Sequence, residues 1–183
     1  MTWAFILGGA AVAVVALVAL VGAMLPRDHV AAMAAHIAAP PPSVWAAIAE
    51  PSQFPDWRPD VQRVEILPSS ALGPSWREHS RHGALTMVVD VSEPPARLVT
   101  RIADRGLPFG GSWDYRIDAD GAGSRVTITE HGSVYNPLFR FVSRFVMGHS
   151  ATIDTYLRAL GKRFGSESAP SAVNAPNGAT HGL

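Results

Sequence analysis

Hydrophobic positions follow three different patterns along the chain, and each pattern predicts a different element. From Trp3 to Leu25 they are continuous: WAFILGGAAVAVVALVALVGAML, with no charged side chain before Arg27, and Pro26-Arg27-Asp28 closing the run. A helix of about 23 residues rises roughly 35 Å, enough to cross a hydrocarbon core of about 30 Å. In the middle of the chain apolar residues alternate with polar ones. Near the end they recur at spacings of three and four.

The alternating part reads as strands separated by turns. His29 to Ala38 enters as a strand, and Pro40-Pro41-Pro42-Ser43 stops it. Ser43 is placed to cap a short helix carrying Val44, Trp45 and Ile48. Pro51, Pro55 and Pro59 break the next stretch into turns around Phe54 and Trp57. Val61 to Leu67 puts Val64 and Ile66 on one face. Trp76, Glu78 and Ser80 alternate with Arg77, His79 and Arg81. Leu85 to Val91 is mostly apolar, and Leu98 to Ala103 follows the Glu93-Pro94-Pro95 turn. Trp113, Tyr115 and Ile117 share a face. Asp120-Gly121-Ala122-Gly123 is a hairpin turn, after which Val126, Ile128 and Glu130 face inward. Such regular period-two patterning predicts an antiparallel sheet with one buried face. Asn136 is a suitable cap and Pro137 a suitable first residue for the last helix. Its stripe runs through Leu138, Val142, Phe145, His149, Ile153, Tyr156, Leu160 and Phe164, Gly148 marks a kink or close approach within it, and Gly165 can stop it.

The opening run has three readings: a membrane anchor, a cleaved secretory signal, or a buried helix. A signal carries a basic start and roughly 7–15 apolar residues; this run has no Lys or Arg ahead of it and is longer, although Val21-Gly22-Ala23 resembles a cleavage site. A buried soluble helix is rarely uncharged all round over such a length. The anchor is therefore the expectation, making the protein single-pass. Arg27 and Asp28 nearly cancel, so the sequence does not orient the span. The expected organisation is an anchor over 1–26, one domain over 27–165 and a disordered tail over 166–183, the tail being small, polar and rich in Pro, Gly and Ser.

Composition narrows the function classes. Lys plus Arg is 15 and Asp plus Glu is 15, a balance unlike the basic surplus of nucleic-acid binders. The absence of cysteine removes disulfides, thiolate metal sites and a cysteine nucleophile. His79-x-x-His82 puts its imidazoles on opposite faces of a strand. Gly148-His149-Ser150-Ala151-Thr152 lacks the last glycine of a nucleophile elbow, and Gly121-Ala122-Gly123 lacks the third glycine of a dinucleotide loop. Neither a metal nor a cofactor is expected.

One run of short strands followed by a single covering helix, together with Pro42-Ser43-Val44-Trp45, Phe54-Pro55-Asp56-Trp57, Trp76-Arg77-Glu78, Trp113 with Tyr115, Val126 to Glu130 and Asn136-Pro137, resembles the START-like SRPBCC superfamily. That superfamily includes polyketide cyclase/dehydrase-like and lipid-transfer proteins. The resemblance covers roughly residues 29 to 165. It implies an α+β helix-grip fold: a curved antiparallel sheet of about six to seven strands wrapped on a long C-terminal helix, enclosing a largely apolar cavity. The anchor departs from the usual soluble members.

Within such a cavity Trp76, Glu78, Trp113, Tyr115, Ile128 and Glu130 are the candidate ligand-binding residues. A carboxylate in an apolar wall resists ionisation, so Glu78 or Glu130 could donate a proton or anchor a ligand; alternatively each pairs with an arginine, with Arg77, Arg81 and Arg101 as candidates. Trp45 and Trp57 read as structural. Arg140 and Arg144 on an otherwise apolar helix either face lipid headgroups or pair with sheet carboxylates. Three functions remain open: membrane-tethered binding of a hydrophobic small molecule or lipid, for transfer or sensing; a cyclase/dehydratase-type enzyme using a cavity carboxylate; or a non-catalytic partner in a membrane complex. The ligand and the oligomeric state are not written in the sequence.

Overall fold

The computed structural model describes residues 2–68, 73–148 and 150–175. Helix α1 (Thr2–Met24) is followed by β1 (Asp28–Ile37), α2 (Pro41–Ile48), a 3-10 turn (Pro51–Gln53), α3 (Phe54–Trp57) and β2 (Arg63–Ile66). Then come β3 (Ser75–Ser80), β4 (Gly83–Glu93), β5 (Arg97–Ile102), β6 (Phe109–Asp120) and β7 (Gly123–Val134), followed by α4 (Pro137–Val142), a π-helical turn (Ser143–Met147), α5 (Ala151–Arg163) and β8 (Ser171–Ala172).

The strands form one antiparallel sheet in the order β2-β3-β4-β5-β6-β7-β1-β8. Strands β2 to β7 pair in sequence, β1 closes on β7 after the whole meander, matching Met33 with Ile128 and Ala31 with Glu130, and β8 pairs with the other edge of β1. The β6–β7 hairpin turns through Gly121, whose positive φ of 62° suits a residue without Cβ. A register shift between Val89 and Val91 on β4 bends the strand as bulges do, and the sheet curves over α5. Alternation sends Tyr115, Ile117, Val126 and Ile128 inward, where they meet Ile153, Tyr156, Leu157 and Leu160 of α5, with Val44 and Ile48 of α2. A smaller cluster joins Phe54, Val61 and Trp76. The α+β helix-grip expectation is met.

Four local expectations are corrected. The cap of α2 is Pro40, with no side-chain hydrogen bond, and the helix begins at Pro41 rather than at Ser43; proline needs no N–H partner in a first turn. Ile66 is exposed, because β2 is the sheet edge with little beneath it. The last helix is not continuous: Asn136 caps α4 as expected, its Oδ1 accepting from the Leu138 and Phe139 N–H groups, but the chain passes through the π turn and Gly148, at φ 73° and ψ 150°, before α5 begins. That conformation is essentially open only to glycine. His149 of the predicted stripe lies outside the described residues. Finally, the segment read as a disordered tail is paired over Ser171–Ala172 with Ala34 and Met33 of β1, and Ser166 Oγ accepts from the Ala38 N–H at 2.6 Å.

Helix α1 projects from the domain almost wholly exposed and is long and apolar enough to cross a membrane. Its end is held. Arg140 of α4 donates to the Leu25 carbonyl at 3.0 Å, the Ala23 carbonyl at 3.4 Å and the Tyr135 carbonyl at 3.2 Å. Gly22 sits so close to the Pro137 carbonyl that a Cβ would overlap it.

Candidate functional site

Strand register assembles the predicted residues in two groups. Trp113 stands opposite Glu130 and Tyr115 opposite Ile128 on the β6–β7 pair; Trp76 and Glu78 lie two apart on β3. Tyr156 of α5 joins them to Trp57 at the end of α3. Its ring centroid is 5.6 Å from those of Trp113 and Tyr115 and 5.2 Å from that of Trp57. The rings of Trp57, Trp113, Tyr115 and Tyr156 therefore pack the space between sheet and α5 that the resemblance implied as cavity. Offset and edge-on pairs at this spacing are favourable.

Each carboxylate is held by donors, and none is Arg77, Arg81 or Arg101. Glu78 accepts from Arg58 at 3.1 Å and from the Trp76 indole at 2.9 Å. Glu130 accepts from the Trp113 indole at 2.9 Å and lies 3.3 Å from His29 Nε2. Arg77 instead donates to Thr86, and Arg101 pairs with Asp90. Arg58 is the central cation. It donates to Asp60 at 2.6 Å, and its guanidinium lies 5.0 Å from the Phe54 ring centre and 5.2 Å from that of Tyr156. Burial works against its charge, but Glu78, Asp60 and Tyr156 outweigh that and hold its pKa above the ordinary value. Burial pushes the Tyr115 and Tyr156 hydroxyls up in pKa, Tyr156 well above the usual phenol.

Beside this ion pair Trp57 Nε1 is buried without a hydrogen-bond partner, while the Tyr115 hydroxyl interacts with Thr100 and with Tyr156. Buried polar groups are normally satisfied, so the Trp57 N–H asks for an explanation. An open groove of about 630 Å³ runs between α3 and α5, with Trp57 and Arg58 on one wall and Thr155, Arg158 and Lys162 on the other. Trp57 and Arg58 thus face both the groove and the aromatic interior.

Sequence reading missed Arg58 and took Trp57 and Tyr156 as packing residues. Their signal was present but local: a Trp-Arg pair bracketed by prolines, and the polar-tipped member of an otherwise apolar helical stripe.

The family model described as polyketide cyclase/dehydrase and lipid transport matches residues 28–164. The chain belongs to this family. Membership and fold together support a hydrophobic-ligand-binding domain. Among solved structures, a START superfamily protein from Mycobacterium smegmatis is similar at 15% identity and a TM-score of 0.60, over 75% of this chain and 97% of that one. The Zhui aromatase/cyclase from Streptomyces sp. R1128 is similar at 17% identity and 0.59, over 75% and 94%. A protein from Thermobifida fusca gives 20% identity and 0.58, over 74% and 93%. At these identities the likeness is one of fold. No curated protein matches the chain.

Proposed function

We propose that the protein is a membrane-tethered receptor or carrier for a hydrophobic small molecule or lipid. The molecule is held between the sheet and α5, with α1 as the bilayer span. The observation that carries this reading is the unpartnered, buried Trp57 Nε1 next to the Arg58–Glu78 pair, where the groove meets the aromatic interior. A ligand with an apolar body and one oxygen-bearing end would satisfy that N–H while displacing aromatic contacts with its own apolar surface. Trp76, Trp113, Tyr115 and Ile128 form the apolar wall in this reading, and Glu78 and Glu130 fix the donors around it. Entry runs through the groove between α3 and α5, so the Trp57–Arg58 turn must shift for the ligand to pass. The tether keeps the site at high effective concentration relative to bilayer-borne molecules.

Native mass spectrometry of the full-length protein in mild detergent, with extraction and identification of retained compounds, tests the reading. A stoichiometric apolar compound whose retention falls in Tyr156→Phe and Trp113→Ala supports it. An unliganded mass from folded protein, before and after incubation with lipid extracts, would overturn it.

A second reading, acid–base chemistry of the cyclase/dehydratase type, is favoured by one observation: Glu130 lies between the Trp113 indole and the His29 imidazole, and a carboxylate–imidazole pair is suited to moving a proton. Glu130→Gln separates the two. A carrier keeps its compound unchanged in both proteins, whereas an enzyme converts it only in the wild type.

A further inference from the structure

A second hollow lies at the base of α1, with His29, the neighbour of Glu130, in its wall. It measures about 220 Å³ and is lined by Leu25, Arg27, Asp28, His29, Arg140 and Arg144, among others. Three of these are arginines without a carboxylate within ion-pair distance among the described residues. The only carboxylate in the lining, Asp28, accepts from the Ser133 hydroxyl at 2.6 Å. Arg140 is 8% exposed. Two of its nitrogens bind backbone carbonyls, and its Nε is buried without an acceptor. A nearly buried guanidinium with an orphan N–H, two further cations and a hollow between them form a site for an oxyanion.

The surroundings identify the source of that anion. The hollow opens where the apolar helix α1 meets the domain. On the α4 side of it Leu138, Phe139, Val142 and Phe145 are exposed. Apolar side chains around a basic pocket at the end of a span match the two halves of a phospholipid, acyl chains against the apolar surface and phosphate in the pocket.

We propose that the pocket formed by Arg27, Arg140 and Arg144 binds the phosphate of an anionic bilayer lipid. This rests on the reading of α1 as a bilayer span. Arg140 serves two purposes: its Nη1 holds the end of α1, and its Nε is the donor left for the phosphate. Arg27 and Arg144, both exposed, supply the charge that selects an anionic headgroup over a zwitterionic one.

The test is native mass spectrometry of the full-length protein in mild detergent with equal amounts of phosphatidylglycerol and phosphatidylcholine. One phosphatidylglycerol per chain is expected to be retained in preference. Arg27→Gln with Arg144→Gln should lower that retention by about thirtyfold, the worth of two juxtamembrane arginines. The corresponding double lysine variant should keep most of it. Both positions are exposed, so the fold survives the change. Equal retention of the two lipids, or undiminished phosphatidylglycerol on the glutamine variant, overturns the proposal. So does displacement of the lipid by soluble glycerol 3-phosphate, which would make the site one for free phosphate esters. Alkaline carbonate extraction of membranes separates the two failures. Protein released by carbonate removes the span and the lipid source together; protein that stays without lipid preference removes only the headgroup site.

Discussion

Arg58 concentrates the electrostatics of the interior. Its side chain is 11% exposed and that of Glu78 14%, so the pair has given up most of its hydration. Removing one member of such a pair leaves an uncompensated buried charge, whereas removing both charges is far milder. Arg58→Met should therefore destabilise the protein by about 3 kcal/mol, and Arg58→Met with Glu78→Gln should recover most of the loss, since Gln still accepts from Trp76. Urea unfolding in mild detergent followed by tryptophan fluorescence checks both; equal losses in single and double variants would contradict the pairing. The buried tyrosines give a pH signature. Burial raises Tyr115 and Tyr156, so the folded state keeps their protons at a pH where the unfolded chain, with phenols near 10, sheds them. The stability this provides is complete below about pH 10 and is lost as pH rises beyond it, at up to about 1.4 kcal/mol per pH unit for each tyrosine. Tyr156→Phe should reduce the steepness of that loss, measured as urea midpoints in the alkaline range. Period-two alternation was enough to turn Glu78 and Glu130 inward. It was silent on their partners, because Arg58 reaches Glu78 from a proline-broken turn twenty residues earlier, and no local period records a tertiary pairing.

Among the elements, α4 is the one whose position its own residues do not set. The helical stripe of Ile153, Tyr156 and Leu160 is legible in the sequence because a single partner, the sheet, buries it. The same stripe extended backward through Val142 and Leu138 suggests one straight helix, yet those residues are exposed and α4 turns instead toward α1. Gly148 permits the turn, and the contact with α1 selects it: Arg140 takes the Ala23 carbonyl in the last turn of α1, where carbonyls lack intrahelical partners, and the Leu25 carbonyl just beyond it, and Gly22 allows the Pro137 backbone to approach. The prediction that belongs to this element is Gly22→Val. The added side chain must push α4 away, breaking the Arg140 bonds. Amide hydrogen exchange over Leu138–Val142 should then accelerate at least about tenfold, as expected for loss of a local cooperative contact, while exchange in α5 is unchanged. Protection retained over α4 in that variant would show that α1 does not hold it.

At the scale of the whole molecule, the junction has little slack. Only Leu25, Pro26 and Arg27 separate α1 from β1. The Leu25 carbonyl is bound by Arg140, and the Arg27 carbonyl accepts from the Val134 N–H at 2.8 Å. The starts of β1 and β6 and the end of β7 therefore gather at the foot of the span. The twelve residues of β6 carry the Gly121-Ala122 turn about 40 Å away, at roughly 3.3 Å per residue. If α1 crosses a bilayer, this geometry sets the domain at one attitude, with α4 and its exposed Phe139 and Phe145 in the interface and the β6–β7 hairpin far out in water. A flexible tether would sample all attitudes. Because the chain contains no cysteine, single labels report this cleanly. A polarity-sensitive dye at Phe139→Cys in reconstituted vesicles should be blue-shifted and quenched by a lipid-borne quencher, and the same dye at Ala122→Cys should be neither. Inserting a short Gly-Ser linker between Leu25 and Pro26 loosens the junction while leaving the sheet and α5 untouched, so quenching at position 139 should fall while ligand retention stays the same. Equal quenching at the two positions would show a domain lying on its side, and no effect of the linker would show that α4 reaches the bilayer without help from α1.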